Sequence, residues 1–65
     1  MENKNKNMPF FKIHTARKVF ETNNYAQYQA CLNSGIIASG GKYLDVKYIE
    51  VLQTNDTYKK EYPKG

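Results

Sequence analysis

Residues 36–53 read IIASGGKYLDVKYIEVLQ, and this stretch decides the fold. Its first three residues are apolar, and the paired glycines Gly40 and Gly41 can adopt the positive φ angles of a tight hairpin turn. From Lys42 to Gln53 apolar and polar residues alternate, which is typical of a β-strand. The stretch therefore predicts a β-hairpin whose second strand is the most regular element of the chain.

The alternation divides this second strand between the two faces of a sheet. The first face carries four apolar residues: Leu44, Val46, Tyr48 and Leu52. The opposite face begins polar and ends apolar: Tyr43, Asp45, Lys47, Ile49 and Val51. We expect the first face to pack in the core and the apolar end of the second face to be available for contacts.

The chain before the helix predicts strand structure with an irregularity. Residues 10–22 are rich in aromatic and β-branched side chains, which favour strand. On a continuous strand, however, Phe11 shares a face with Val19 and not with Phe20. We therefore expect a bulge or break near residues 15–17, and the pattern leaves open whether this region is one strand or two.

The helix is predicted from about Tyr25 to Asn33. Asn23 and Asn24 are good N-cap residues, because an Asn side chain can accept a hydrogen bond from the free amides of the first turn. Gly35 stands where a left-handed C-cap residue would end the helix. Four residues form the apolar arc: Tyr25, Tyr28, Cys31 and Leu32. The order β-α-β-β predicts a small α+β domain, with one helix packed on a mainly antiparallel sheet of three or four strands.

At 65 residues the chain has room for one domain, whose small core makes packing or self-association important for stability. We expect a flexible leader at residues 1–8, a single domain over residues 9–54, and a polar tail or short helical turn at residues 55–65. With Cys31 the only cysteine and His14 the only histidine, neither a disulfide nor a four-ligand Cys/His zinc site can form within one chain. No stretch resembles a signal peptide or a membrane span, so we expect a cytoplasmic protein.

No catalytic group of residues is predicted, so we expect a protein that is not an enzyme and binds no cofactor or metal. The glycine-rich turn superficially resembles a phosphate-binding loop, but Ile36 and Tyr43 stand where that motif needs Gly and Ser or Thr. Lys42 also opens a strand, whereas the motif opens a helix. Cys31 lies in the apolar arc of the helix, which indicates a buried thiol rather than a nucleophile activated by His14.

The aromatic content points to protein binding. Six tyrosines and three phenylalanines exceed what so small a core can enclose. Exposed tyrosine is typical of protein interfaces, because it combines a large rigid contact with one polar group. The sequence therefore predicts a protein-binding module, and the undersized core favours a homodimer. The predicted interface residues are Phe10, Phe11, Tyr43, Ile49 and Val51.

A nucleic-acid-binding accessory protein is the alternative interpretation. The net charge is +4, but most of the excess lies in the two predicted tails, and the stretch between them is nearly neutral. Such a protein would use stacking on tyrosines together with four basic residues: Arg17, Lys18, Lys42 and Lys47. Its binding would weaken steeply with salt.

Residues 19–22 (VFET), a polar helix and the sequence CLNSGII at residues 31–37 resemble short β-α-β-β proteins of unknown function encoded by phages and mobile elements. Those proteins often end the helix in Leu-Asn-x-Gly and continue with Trp and an apolar strand, and here Ile36 stands in place of the Trp. The resemblance carries no catalytic residues. It implies a phage setting. Together with the predicted protein-binding surface, this leads us to expect a phage-type effector that acts in the host cytoplasm by inhibiting or modulating a host protein, such as an antiviral defence component.

Overall fold

The computed structural model describes residues 8–64, so most of the predicted leader, residues 1–7, lies outside the described residues. The order of elements is β-β-α-β-β-β. Their bounds are β1 Phe11–Thr15, β2 Val19–Thr22, α1 Tyr25–Ser34, β3 Ile36–Ser39, β4 Lys42–Leu52 and β5 Tyr58–Glu61. The predicted α+β class is confirmed, with one helix on an antiparallel sheet, and β5 adds a strand that the sequence did not predict.

β4 is the central strand and pairs with three others. The strand order is β2-β1-β4-β3, with β5 also pairing with β4, and every pairing is antiparallel. The first part of β4 pairs with β3, as in Ile37 opposite Leu44. Its second part lies between β1 and β5, so that Val51 is opposite Phe11 on one side and Lys59 on the other.

A bulge in β4 changes which residues face the core. His14 lies opposite Tyr48, but Thr15 lies opposite Val46, so Lys47 is an extra residue in β4. An extra residue reverses the alternation of side chains beyond it. Val46 before the bulge and Ile49 after it are therefore both buried.

Two predicted faces of β4 are corrected by this bulge. Tyr48 and Leu52 lie on the face away from the core, although the regular alternation assigned them to it. Ile49 and Val51 lie on the core side, although they were predicted to lie on the opposite face. Strict alternation of faces cannot predict an extra residue in a strand, because nothing in the local sequence marks Lys47 as different from its neighbours.

The first strand region is divided into two strands, β1 and β2, which form a hairpin. The predicted break is confirmed. Thr15 organises the turn: its Oγ1 donates to the Lys18 carbonyl and accepts hydrogen bonds from the amides of Arg17 and Lys18. Because the chain reverses here, Phe20 lies opposite Ile13 and shares the core face with it, which a continuous strand would not allow.

The helix forms as predicted and extends to Ser34. The Asn24 side chain accepts a hydrogen bond from the Gln27 amide at the start of the helix. Gly35 ends the helix in the left-handed conformation, with a φ of 78°, and its amide donates a hydrogen bond to the Cys31 carbonyl. The buried face of the helix, Tyr28 and Cys31, packs on the sheet. The stop at Gly35 directs the chain into β3.

The core joins the helix to one face of the sheet. The buried apolar residues are Phe11, Ile13, Tyr28, Cys31, Ile37, Val46 and Ile49. Ile13 and Ile49 are opposite one another on β1 and β4 and are fully buried, which contributes roughly 1.5–3 kcal/mol for each side chain. The Tyr28 ring stacks on Phe11 with centroids 4.3 Å apart. This stack joins the helix to β1.

The C-terminal segment is part of the sheet rather than a tail or helical turn. β5 occupies the edge of β4 beyond β3, from Leu52 opposite Tyr58 to Ile49 opposite Glu61. The Tyr28 hydroxyl donates a hydrogen bond to Glu61 Oε1. The Lys64 amide donates to a carbonyl at the end of the helix. The domain therefore extends past residue 54, because the edge of β4 supplies backbone partners that sequence alone does not show.

Substitutions in the β3–β4 turn should separate backbone conformation from packing. Gly40 and Gly41 have φ values of 57 and 79, and a Cβ on either glycine would meet nothing within 4 Å. We expect Gly41→Ala to lower the free energy of unfolding by about 1 kcal/mol, because Ala disfavours a left-handed backbone. Gly40→Asn should have little effect, since Asn-Gly is a preferred pair in such turns. Urea unfolding of both variants tests this, and equal losses would contradict it.

Tyr28 should make stability sensitive to alkaline pH. Burial, with the Glu61 carboxylate adding to it, raises the pKa of Tyr28 to about 12. An unfolded tyrosine titrates near pH ~10, so its contribution to stability is complete below about pH 10 and is lost as pH rises to about 12.

We therefore expect Tyr28→Phe to be less stable by about 1 kcal/mol at neutral pH, but to lose less stability than the wild type between about pH 10 and 12. Urea unfolding across this range is the measurement. Tyr43→Phe, which removes the hydroxyl of a tyrosine that is 73% exposed, is the control and should follow the wild type. Parallel pH profiles for Tyr28→Phe and Tyr43→Phe would contradict the assignment.

Candidate protein-binding face

The face of the sheet opposite the helix carries a second layer of side chains, which we call the outer face. The strand register arranges it in rows that run across the strands. The middle row is Glu21, Lys12, Glu50 and Lys60. One flanking row is Val19, His14 and Tyr48, with Tyr62 beside it, and the other is Leu52 and Tyr58. Within residues 8–64, no helix or strand packs over these rows.

The middle row alternates in charge from strand to strand. Lys12 lies opposite Glu21 on one side and Glu50 on the other, and Glu50 lies opposite Lys60. Opposite charges directly across an antiparallel pair stabilise it, whereas like charges would destabilise it. Two lysines and two glutamates also leave the row without net charge, so it provides no continuous basic track.

His14 is held from two directions. Its ring stacks on Tyr48 with centroids 4.3 Å apart and an angle of 17° between the planes. Its Nε2 lies 2.7 Å from Glu50 Oε1, a distance at which the ring nitrogen donates a hydrogen bond to the carboxylate. The two contacts restrict the orientation of the imidazole, so a partner would meet it already in place.

Two lysines lie over tyrosine rings on the same face. Lys12 Nζ is 4.4 Å from the centroid of Tyr58, and Lys60 Nζ is 4.8 Å from that of Tyr48. Both distances are suitable for cation–π attraction. The Tyr58 hydroxyl also donates to the Pro9 carbonyl at 2.8 Å. These contacts order a layer of aromatic and charged groups that remains accessible at Tyr62, which is 66% exposed.

The structure separates the predicted interface residues into two groups. Phe11 and Ile49 are buried in the core, and Val51 is partly buried against it, so these three are not surface residues of the fold. Their side chains belong to the core face of the sheet, because the bulge in β4 and the β1–β2 hairpin turn them towards the helix. Phe10 and Tyr43 are exposed, Tyr43 by 73%, and their predicted role in an interface stays a prediction.

The four basic residues of the nucleic-acid interpretation lie outside the rows of the outer face. Arg17 and Lys18 are in the β1–β2 turn, and Lys42 follows the β3–β4 turn. Lys47 is the bulged residue. Lys18 Nζ lies 4.9 Å from the ring of Phe20, on the core side of the sheet. The structure therefore does not gather these residues around the tyrosines of the outer face.

Cys31 and His14 lie on opposite sides of the sheet. Cys31 is buried in the core, and burial raises the pKa of its thiol, which disfavours the reactive thiolate. His14 belongs to the outer face. In the part of the chain that the structure describes, no three His, Cys, Asp or Glu side chains come together as a metal site would require. Nor is any helix of residues 8–64 long and apolar enough to cross a membrane.

Sequence reasoning missed most of the outer face. No sequence pattern brings Lys12, Glu50 and Lys60 together, and the prediction of a polar tail or short helical turn at residues 55–65 includes Tyr58 and Tyr62. The spacing of Tyr58, Lys60 and Tyr62 has the period of a strand and could have indicated β5. The pairing of Tyr48 with His14 had no such signal, because it depends on the register between two distant strands.

Comparison of the chain with protein-family models, with curated proteins and with solved structures finds no match.

The contact between His14 and Tyr48 should be measurable as a coupling energy. In a double-mutant cycle with His14→Ala and Tyr48→Ala, we expect the two losses of unfolding free energy to be non-additive by about 1 kcal/mol, because each substitution removes the same stacking contact. A cycle between His14→Ala and Tyr43→Ala is the control, since Tyr43 lies at the other end of β4, and it should be additive. Equal coupling in the two cycles would show that the stack is not the cause.

Proposed function

We propose that the chain is a small non-enzymatic protein-binding module that binds its partner through the outer face. The observation that carries the proposal is the ordered aromatic and charged layer on the sheet side away from the helix. Aromatic side chains dominate the binding energy of protein interfaces when their orientation is fixed beforehand. Tyr48, His14 and Tyr62 meet this description, because ring contacts connect all three.

The charge distribution favours a protein over a nucleic acid as the partner. A nucleic-acid-binding sheet uses lysines and arginines to neutralise successive phosphates. On the outer face each lysine of the middle row instead has a glutamate opposite it. A surface of alternating charges complements a partner that also carries both signs, which is typical of proteins.

The resemblance to short phage and mobile-element proteins extends the proposal to the identity of the partner. On this basis the module acts in the host cytoplasm, where it occludes a surface of a host protein such as a defence component. The small core supports self-association as a further part of the proposal, since burial between two copies adds to the limited stability of a 65-residue chain. Binding without catalysis is sufficient for this mode of action.

The test is a capture experiment from host lysate with tagged wild type, Tyr62→Ala and Tyr25→Ala. Both tyrosines are more than half exposed, but Tyr62 belongs to the outer face and Tyr25 to the helix on the other side. We expect the wild type and Tyr25→Ala to retain one host protein in stoichiometric amount after nuclease treatment. Tyr62→Ala should retain at least tenfold less, because removing an interface tyrosine costs about 1.4 kcal/mol or more.

Two results would contradict the proposal. Equal capture by Tyr62→Ala and the wild type would exclude the outer face, provided that both are folded by circular dichroism. Recovery of nucleic acid alone, lost after nuclease and at moderate salt, would favour the nucleic-acid interpretation. In that case charge reversal at Arg17 or Lys42 should weaken binding more than Tyr62→Ala does.

A further inference from the structure

The described sheet has three strands with one unpaired edge, namely β2, β3 and β5. The register decides which backbone groups point outward from each. The Thr15 amide donates to the Lys18 carbonyl, and Ile13 lies opposite Phe20, so the outward-facing residues of β2 are Val19 and Glu21. By the same alternation Ile36 and Ala38 face outward from β3, and Tyr58 and Lys60 from β5.

The edges of β3 and β5 are unsuited to pairing with a second copy. On β3, the Ser34 hydroxyl contacts both the amide and the carbonyl of Ile36 at 3.3 Å, which occupies outward-facing backbone groups. On β5, Lys59 and Lys60 are adjacent on an edge strand, where lysines disfavour pairing, and a register centred on either of them would set lysine against lysine. β2 has neither obstacle, and its Val19 side chain is 44% exposed.

We propose that two copies of the chain pair through the β2 edges as antiparallel strands, with Val19 opposite Val19 on the two-fold axis. In this register the outward backbone groups of Val19 form the central pair of hydrogen bonds. The two exposed valines bury one another, and the long side chain of Arg17, in the turn just before β2, reaches Glu21 of the other copy. On the core side, Lys18 of each copy lies opposite Phe20 of the other. The Lys18 ammonium already approaches the Phe20 ring of its own copy, so in the dimer it lies next to both phenylalanine rings.

Three registers pair the outward-facing residues Val19 and Glu21, with the two-fold axis at Val19, Phe20 or Glu21. Charge complementarity favours the axis at Val19. A two-fold axis at Glu21 would set glutamate directly against glutamate, which destabilises the pair. An axis at Phe20 would set the apolar Val19 against Glu21 and leave Arg17 without an acidic partner. Only the axis at Val19 joins like apolar side chains and opposite charges. The strand has four residues, so we expect a reversible dimer rather than a permanent one.

Cysteine cross-linking tests the register. Directly opposed residues of this kind have Cα atoms about 5.5 Å apart, which is within the range of a disulfide. Under mild oxidation Val19→Cys should therefore form a covalent dimer. Glu21→Cys is the matched control on the same edge and should cross-link far more slowly, because its opposite residue is Arg17. The wild type, whose Cys31 is buried, should not cross-link.

Sedimentation analysis tests whether Arg17 of one copy attracts Glu21 of the other. Glu21→Arg should shift the equilibrium towards monomer by at least tenfold, because it sets arginine against arginine. The double variant with Arg17→Glu and Glu21→Arg should restore dimerisation, since it exchanges the two charges. Circular dichroism confirms that each variant is folded, and the substitutions are at exposed positions.

A wild type that remains monomeric at the highest concentration tested would overturn the proposal. Unchanged dimerisation in Glu21→Arg, or cross-linking of Glu21→Cys as fast as Val19→Cys, would overturn the register. A monomer whose Val19→Cys variant cross-links to a different protein would assign the edge to that partner instead. The inference rests on the proposed self-association but not on the outer face, because Tyr62→Ala should leave the dimer unchanged.

Discussion

One extra residue in β4, Lys47, determines which side chains the sheet buries. Before the bulge Leu44 and Val46 face the helix, and after it Ile49 and Val51 take over the same side. β4 pairs with β1, β3 and β5, so its phase sets the position of their side chains as well. The same reversal that buries Ile49 moves Tyr48 to the opposite side, beside His14. The core and the outer face therefore depend on a single structural irregularity.

The sheet separates two aromatic layers that have different roles. On the core side, Tyr28 stacks on Phe11 and donates to Glu61, which ties the helix to the C-terminal strand. On the outer side, Tyr48 contacts His14 and Tyr62 without an element above it in residues 8–64. β5 contributes to both layers, because alternate residues of a strand point to opposite faces. A segment with the composition of a tail thus both stabilises the domain and completes the outer face.

The two proposed surfaces are compatible because they use different directions of the same sheet. A partner of the outer face would approach perpendicular to the sheet, whereas pairing through β2 would extend the sheet in its own plane. Val19 and Glu21 belong to both: their side chains lie on the outer face and their backbone groups point along the edge. In the proposed dimer the outer faces of two copies adjoin across the two-fold axis. The dimer would then present two equivalent sites on one side of a continuous sheet, and binding to a multivalent partner would gain from this arrangement.

Local signals in the sequence determined the elements of this protein. The asparagine cap begins the helix and Gly35 ends it, and the paired glycines make the β3–β4 turn. The break in the apolar alternation near Thr15 divides β1 from β2. These signals act over a few residues, so they can be read without knowledge of the fold. Only the tertiary structure decided that Lys47 is bulged, that Ile49 is buried while Tyr48 is not, and that residues 58–61 form a strand. The bulge and the burial of Ile49 depend on pairing between β1 and β4, which are distant in the chain, and the packing of the whole core sets their register. Residues 58–61 form a strand because the edge of β4 beyond β3 supplies their backbone partners.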